Sequence, residues 1–166
     1  MTEPLVIVGA GGFSREAAEA VRAVNDARPT WDLVGFADDD PARQGKLLEG
    51  VPVLGPVEEV VSAHPGARLV VCTGRPDDYF SRPRLVARMA VRADRYATLV
   101  HPQASVGPSS TVGPGSVILA GVVVTAAATI GAHVAVMPGT VITHDDVVGD
   151  FATLTSGVRL VGSVTV

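Results

Sequence analysis

Residues 112–136, VGPGSVILAGVVVTAAATIGAHVAV, return an aliphatic side chain at every sixth place. Followed outward, the beat never misses: Val100, Val106, Val112, Ile118, Val124, Ile130, Val136, Ile142, Val148, Leu154, Leu160, Val166. A helix repeats its faces every 3.6 residues and a strand every two, so neither accounts for a strict six. A three-sided parallel β-helix does, because each flat side takes one hexapeptide and three sides close a coil. The aliphatic residue then points into the prism. Two places earlier the side chain is small or β-branched (Ala104, Ser110, Ser116, Val122, Ala128, Val134, Thr140), as a narrow corner requires. Glycine follows the aliphatic residue at Gly107, Gly113, Gly131 and Gly149, where a turn that draws on glycine's backbone freedom is expected. Successive coils stack about 4.8 Å apart, so residues three hexapeptides apart lie almost over one another.

Upstream of residue 98 the grammar changes. Short apolar runs alternate with helical patterns, which is how βαβ units with a parallel sheet look in sequence. Leu5–Val8, Trp31–Ala37 and Arg68–Thr73 read as strands. Helices are predicted over Ser14–Val24, with Ser14 as N-cap, and over about Asp78–Val91. Val51–Gly55 is extended, and Pro52 keeps it from a sheet centre. The 166 residues therefore divide into a small Rossmann-like α/β domain, 1–97, and a parallel β-helix, 98–166. The repeat breaks off at Val166 in mid-coil, leaving an unpaired edge, so a truncated β-helix is expected.

Hydrophobic residues make up 47% of the chain, which leaves apolar surface to be hidden between subunits. No run nears the roughly 20 apolar residues of a membrane span, and Met1-Thr2-Glu3-Pro4 lacks the basic start of a secretory signal; a cytoplasmic protein is expected. A net charge of −4 without a basic cluster argues against nucleic acid or an anionic membrane as partner. Cys72 stands alone in an apolar run and reads as a buried, inert thiol. No Cys/His cluster has metal-ligand spacing, and a pairing of His133 with His144 lacks the third ligand that zinc needs, so no metal is expected.

Gly9-Ala10-Gly11-Gly12 joins a predicted strand to a predicted helix, where bare N–H groups and a helix N-terminus meet anions such as phosphate. Ser14 stands where a dinucleotide fingerprint has its third glycine, which argues against an NAD site and leaves a packing turn or another ligand. Asp38, Asp39 and Asp40 follow the second strand and Gly74-Arg75 the third, at the edge where open α/β sheets bind ligands. By residue type three adjacent acids more often make a solvated turn, and Arg75 offers a fork to phosphate. Among His64, His101, His133 and His144, the last falls two residues past the inward Ile142, near a corner, facing outward with Asp145 beside it. Spacing alone makes it a surface histidine. Gly162 lies three hexapeptides further on and stacks at the same corner.

Taken with Gly35-Phe36-Ala37-Asp38-Asp39-Asp40, His101-Pro102, Ile142-Thr143-His144-Asp145 and Val148-Gly149-Asp150-Phe151, the front stretch Val8–Glu16 resembles the hexapeptide-repeat acyltransferases. Within them it is similar to the sugar acyltransferases of the sialic-acid O-acetyltransferase and bacillosamine N-acetyltransferase type, over nearly the whole chain. The resemblance implies a left-handed β-helix, a homotrimer, and acetyl-CoA as co-substrate with a nucleotide-linked sugar as acceptor. It implies that Gly11, Gly12, Phe13, Asp38, Asp39 and Gly74 contact the nucleotide sugar. His144 becomes the general base, since acyl transfer to an amine or hydroxyl needs a proton acceptor of histidine's ordinary range. Asp145 becomes its orienter, with Asp146 as a possible substitute. The Gly162 N–H becomes the donor to the thioester carbonyl. Thr153 stands where some relatives carry a second histidine that holds the CoA ester. The alternatives are acylation of a free sugar or another small amine, and a non-catalytic nucleotide-sugar-binding or scaffold protein.

Overall fold

The structure, a computed structural model, describes residues 1–74 and 77–166. The chain forms two compact units, Met1–Ala97 and Thr98–Val166.

In the first unit, Leu5, Val6, Ile7 and Val8 are all fully buried, as the two-sided burial of a parallel strand demands. They form β1 (Glu3–Val8), followed by α1 (Gly12–Ala27), β2 (Trp31–Ala37), the two-residue β3 (Leu47–Leu48) and β4 (Val51–Gly55). Then come α2 (Val57–Ala63), β5 (Arg68–Val71), α3 (Ser81–Met89) and a 3-10 turn at Ala93–Arg95. The sheet order is β3-β4-β2-β1-β5, all parallel except for β3, which pairs antiparallel with β4. Pro52 on β4 thus lies beside the edge hairpin, away from the sheet centre. On one face Val6, Val8, Leu69 and Val71 pack with Val57, Val60 and Val61 of α2 and Met89 of α3. Helix α1 presents Ala17, Ala18, Ala20 and Val21 as its buried stripe, and those small residues let it lie close. Full burial of each such aliphatic side chain is worth about 1.5–3 kcal/mol.

One expectation needs correction. The N-cap of α1 is Gly11, with no side-chain cap. Ser14 lies inside the helix, and its buried hydroxyl donates to the Cys72 carbonyl at 3.0 Å, tying α1 to the end of β5. Cys72 is buried as expected, and burial pushes its thiol up to about 12.

In the second unit the hexapeptide beat becomes ten two-residue strands: β6 (Leu99–Val100), β7 (Ser105–Val106), β8 (Thr111–Val112), β9 (Val117–Ile118), β10 (Val123–Val124), β11 (Thr129–Ile130), β12 (Ala135–Val136), β13 (Val141–Ile142), β14 (Val147–Val148) and β15 (Thr153–Leu154). They stack as three parallel sheets, β13-β10-β7, β14-β11-β8 and β15-β12-β9-β6, the sides of a left-handed β-helix. Ile118, Val124, Ile130, Val136, Ile142 and Val148 fill the axis at 2% exposure or less. The corner residues hold coil to coil. Ser110 accepts the N–H of Ala128 at 3.0 Å and donates to the Thr125 carbonyl at 3.2 Å. Ser116 does the same with Val134 N–H at 2.9 Å and Gly131 carbonyl at 2.8 Å, and Thr140 donates to the Thr155 carbonyl at 3.1 Å. The tryptophan and both tyrosines, Trp31, Tyr79 and Tyr96, all fall in the first unit.

The turn glycines work differently from the expectation. None of Gly107, Gly113, Gly131 and Gly149 has positive φ. Instead the next coil leaves no room: a Cβ on Gly107 would sit 1.8 Å from the Thr125 carbonyl oxygen, and one on Gly113 2.5 Å from Gly131. Positive φ recurs every six residues at another position, at Gly115, Gly121, Ala127, His133, Gly139, Asp145, Phe151, Gly157 and Ser163. Gly162, at φ +71°, is the one out of step.

Candidate active site

The parallel strands run third, second, first, fourth across the sheet, so the order reverses between β1 and β5. Ligands of open α/β sheets bind outside the carboxyl ends at such a reversal. A cavity of about 320 Å³ opens there, lined by Gly9 to Phe13 after β1, Asp38, Asp40 and Arg43 after β2, and Cys72 to Gly74 after β5. Gly12 faces open space and Gly11 approaches only Arg43, so bare backbone faces the cavity. Asp38 sets the loop: its Oδ2 accepts the Ala10 N–H at 2.7 Å, and its Oδ1 accepts the Asp40 N–H at 2.9 Å.

Gly11, Gly12, Phe13, Asp38 and Gly74 thus come together in this cavity as the sequence suggested. Asp39 does not. Its Oδ1 accepts the Val57 N–H at 3.0 Å, capping α2, and its Oδ2 pairs with Arg88. Burial raises the Asp39 pKa, but the Val57 N–H and the Arg88 guanidinium outweigh it and hold the carboxyl below its ordinary range. Asp40 takes its place on the cavity wall. Arg75 lies outside the described residues.

Two cations escaped the sequence reading. Arg43 Nε lies 3.2 Å from Asp40 and its Nη1 3.5 Å from Asp38. Arg82 is 5% exposed; its Nε donates to the Thr73 carbonyl at 3.1 Å, and its Cζ stands 5.9 Å from the Phe13 ring centroid. Burial lowers its pKa. A buried guanidinium beside a glycine-rich loop is a ready anion partner, yet in the sequence Arg82 is one of several arginines along α3.

On the β-helix, His144 stands at the corner between β13 and β14. Its Nδ1 is 2.9 Å from Asp145 Oδ2, and both side chains are more than half exposed. Nδ1–H donation to Asp145 leaves the Nε2 lone pair free to take a proton. Gly162 stacks against the ring: a Cβ there would lie 2.7 Å from both Cε1 and Nε2. Asp146 is turned inward, fully buried, and bonds backbone N–H groups, so Asp145 alone partners the imidazole. Thr153 faces outward on β15, on another side of the prism. His133 is buried and stacked on Phe151 at 5.0 Å, a structural group. His101 Nδ1 accepts the Gln103 N–H at 3.1 Å in a turn. Among the described residues no group of three potential metal ligands occurs, and no helix is long and apolar enough to cross a membrane.

A switch-point α/β unit followed by hexapeptide coils with an outward His–Asp pair under a glycine has counterparts among known sugar acetyltransferases. Residues 4–76 match the family model described as the PglD N-terminal domain. A variant of GDP-perosamine N-acetyl transferase from Caulobacter crescentus, in complex with CoA and GDP-perosamine, is 28% identical. It covers 99% of this chain and 74% of its own, with TM-score 0.82. The acetyltransferase domain of PglB from Neisseria gonorrhoeae FA1090, in complex with acetyl coenzyme A, is 25% identical over 100% of this chain and 77% of its own, with TM-score 0.82. WeeI from Acinetobacter baumannii AYE, at 17% identity, covering 99% of this chain and 94% of its own with TM-score 0.63, shares the fold. No curated protein matches the sequence. The particular likeness is therefore to GDP-perosamine N-acetyl transferase and to the acetyltransferase domain of PglB.

Proposed function

We propose that the protein transfers an acyl group, acetyl by preference, from acyl-CoA to an amino or hydroxyl group of a nucleotide-linked sugar. The observation that carries this is the His144–Asp145 pair with Gly162 against the imidazole. Asp145 accepts the Nδ1 proton and holds the ring in the tautomer whose Nε2 is basic. His144 Nε2 takes the proton from the attacking amine or hydroxyl as the new bond forms at the thioester carbonyl. The Gly162 N–H faces the oxygen on which negative charge develops. His144 then returns its proton to the departing thiolate, so the cycle closes with acylated sugar and free CoA.

The first unit is proposed to hold the nucleotide sugar in the cavity at the β1/β5 reversal. Gly11, Gly12 and Gly74 offer backbone to the ligand, Phe13 an aromatic face, and Asp38 a carboxylate. Thr153 is proposed to touch the CoA ester through its hydroxyl. A homotrimer is proposed as the working form, because the catalytic pair is open to solvent in one chain and Val123, Val147 and Val161 are exposed on the coils. The reaction is proposed to take place in the cytoplasm.

The test is thiol release from acetyl-CoA across a panel of UDP-, dTDP-, GDP- and CMP-linked sugars, with and without His144→Ala. Turnover by the native protein and a fall of about 10²–10⁴ in kcat in the variant, with nucleotide-sugar binding retained, is the expected result. Binding of a nucleotide sugar without turnover by either protein would instead make this a sugar-nucleotide-binding scaffold.

A further inference from the structure

A backbone rung just past each inward aliphatic residue ties coil to coil. The Gly107 N–H donates to the Val124 carbonyl at 2.8 Å, the Thr125 N–H to Ile142 at 2.9 Å, and the Gly149 N–H to Val166 at 2.8 Å. Among the described residues, every such corner with a coil after it keeps this rung except the one at His144. There the rung is exchanged. The Thr143 N–H donates instead to Asp146 Oδ2 at 2.7 Å, and the Thr143 hydroxyl donates to the carbonyl that the N–H would have met, that of Leu160, at 3.0 Å.

The exchange needs both side chains. Asp146 Oδ1 accepts the Val164 N–H at 2.9 Å, as the hydroxyls of Ser110 and Ser116 accept Ala128 and Val134 N–H. Its second oxygen has no proton to give and turns back to the Thr143 N–H. A threonine alone does not break the rung, since Thr125, with Ala128 three residues on, keeps it. Apolar corners do not break it either: His101, Leu119 and Gly131, three residues before Ala104, Val122 and Val134, all keep theirs.

The hydroxyl sits three bonds from the Thr143 nitrogen, so the Leu160 carbonyl it holds is shifted off the line of the ladder. On either side the chain is in register: the Leu160 N–H donates to the Val141 carbonyl at 2.9 Å, and the Ser163 N–H to the His144 carbonyl at 3.0 Å. The backbone must therefore leave the ladder and return to it within Val161 and Gly162. Gly162 takes φ +71°, whereas Ala126, His144 and Asp150, at the same repeat position, have no positive φ. Glycine adopts that turn without the clash of a Cβ.

We propose that Thr143 is a positioning residue of the site, whose hydroxyl, with Asp146 holding its N–H, replaces one ladder rung and so sets Gly162 over the His144 imidazole. The inference rests on the acyltransferase reading only for its effect on turnover; the backbone geometry stands apart from it.

Thr143→Val keeps the branched shape and removes the hydroxyl, leaving the Leu160 carbonyl only the backbone N–H of residue 143 to meet. In a crystal structure of this variant the rung should re-form and Gly162 should leave the left-handed region. Turnover should fall about 100-fold, the scale of losing one oxyanion donor, with KM for the nucleotide sugar unchanged. Thr143→Ser retains the hydroxyl and should keep the native backbone and a kcat within about threefold. Should the valine variant fold poorly, Asp146→Ala recreates the Thr125–Ala128 corner and should close the rung in the same way. A threonine that merely stabilised the coil would, as valine, lower the melting temperature and leave kcat and Gly162 unmoved, which overturns the inference. Gly162 keeping its positive φ in either variant overturns it whatever the activity. Gly162 moving with kcat unchanged overturns it too, and with it the role of the Gly162 N–H. Absence of turnover in the native protein would sink the acyltransferase reading, while the variant structures alone would still decide whether Thr143 sets Gly162.

Discussion

Gly162 keeps its place against His144 by having no Cβ, and two independent strains follow from adding one. The methyl of Gly162→Ala would meet the imidazole at 2.7 Å, and the residue would carry φ +71°, a conformation that costs an L-residue about 1–2 kcal/mol. The exposed ring is free to swing away, so the expected outcome is a modest drop in melting temperature with a loss of about tenfold or more in kcat, measured by thiol release beside a thermal melt. Asp38 and Asp39 allow a second separation. Asp39→Ala removes the cap of α2 and should cost about 0.5–2 kcal/mol in urea denaturation while nucleotide-sugar affinity holds. Asp38→Ala should weaken that affinity by calorimetry. Because the Asp39 carboxyl is held below its unfolded value of 3.8, its contribution is present above that pH and fades as pH falls through the folded value. The run Asp38-Asp39-Asp40 puts acids after β2, but successive side chains leave a turn in different directions, so which of them lines the cavity was not legible. Arg82 was hidden for a related reason: its importance lies in burial beside Phe13, which depends on how α3 seats.

At the scale of elements, the coils were readable almost residue by residue, because one aliphatic side chain in six has a single direction in which to point. The reason for the glycines was not. Gly107 is glycine because the Thr125 carbonyl lies where its Cβ would be, whereas Gly121 is glycine at a corner of φ +69° where a Cβ would make only ordinary contact, with Gly139 at 3.8 Å. Gly107→Ala should therefore destabilise by more than about 3 kcal/mol by forcing two coils apart, and Gly121→Ala by only about 1 kcal/mol, in matched urea titrations. Neighbouring corners support the smaller figure, since Ala127 and Asp145 adopt the same left-handed backbone. The start of α1 misled in the opposite sense. Ser14 has the chemistry of an N-cap, yet the glycine loop enters the helix earlier and frees the hydroxyl for the Cys72 carbonyl. Local capping chemistry was overridden by a long-range bond that no local pattern announces.

At the scale of the molecule, one chain holds a cavity in its first unit and the open, solvent-facing His144–Asp145 corner in its second. Sedimentation equilibrium should give three times the chain mass, and Val147→Lys, placed on the exposed coil surface beside that corner, should shift the protein toward single chains with turnover lost in parallel. The distribution of chromophores bears on how such experiments are read. Trp31, Tyr79 and Tyr96 all precede residue 98, so the coils hold no tryptophan or tyrosine and the emission of those residues reports the first unit alone. A fluorescence melt will therefore record the loss of the α/β fold whatever the β-helix does, and circular dichroism is needed beside it. A tryptophan placed at Phe151, stacked on the buried His133, would give the coils a signal of their own.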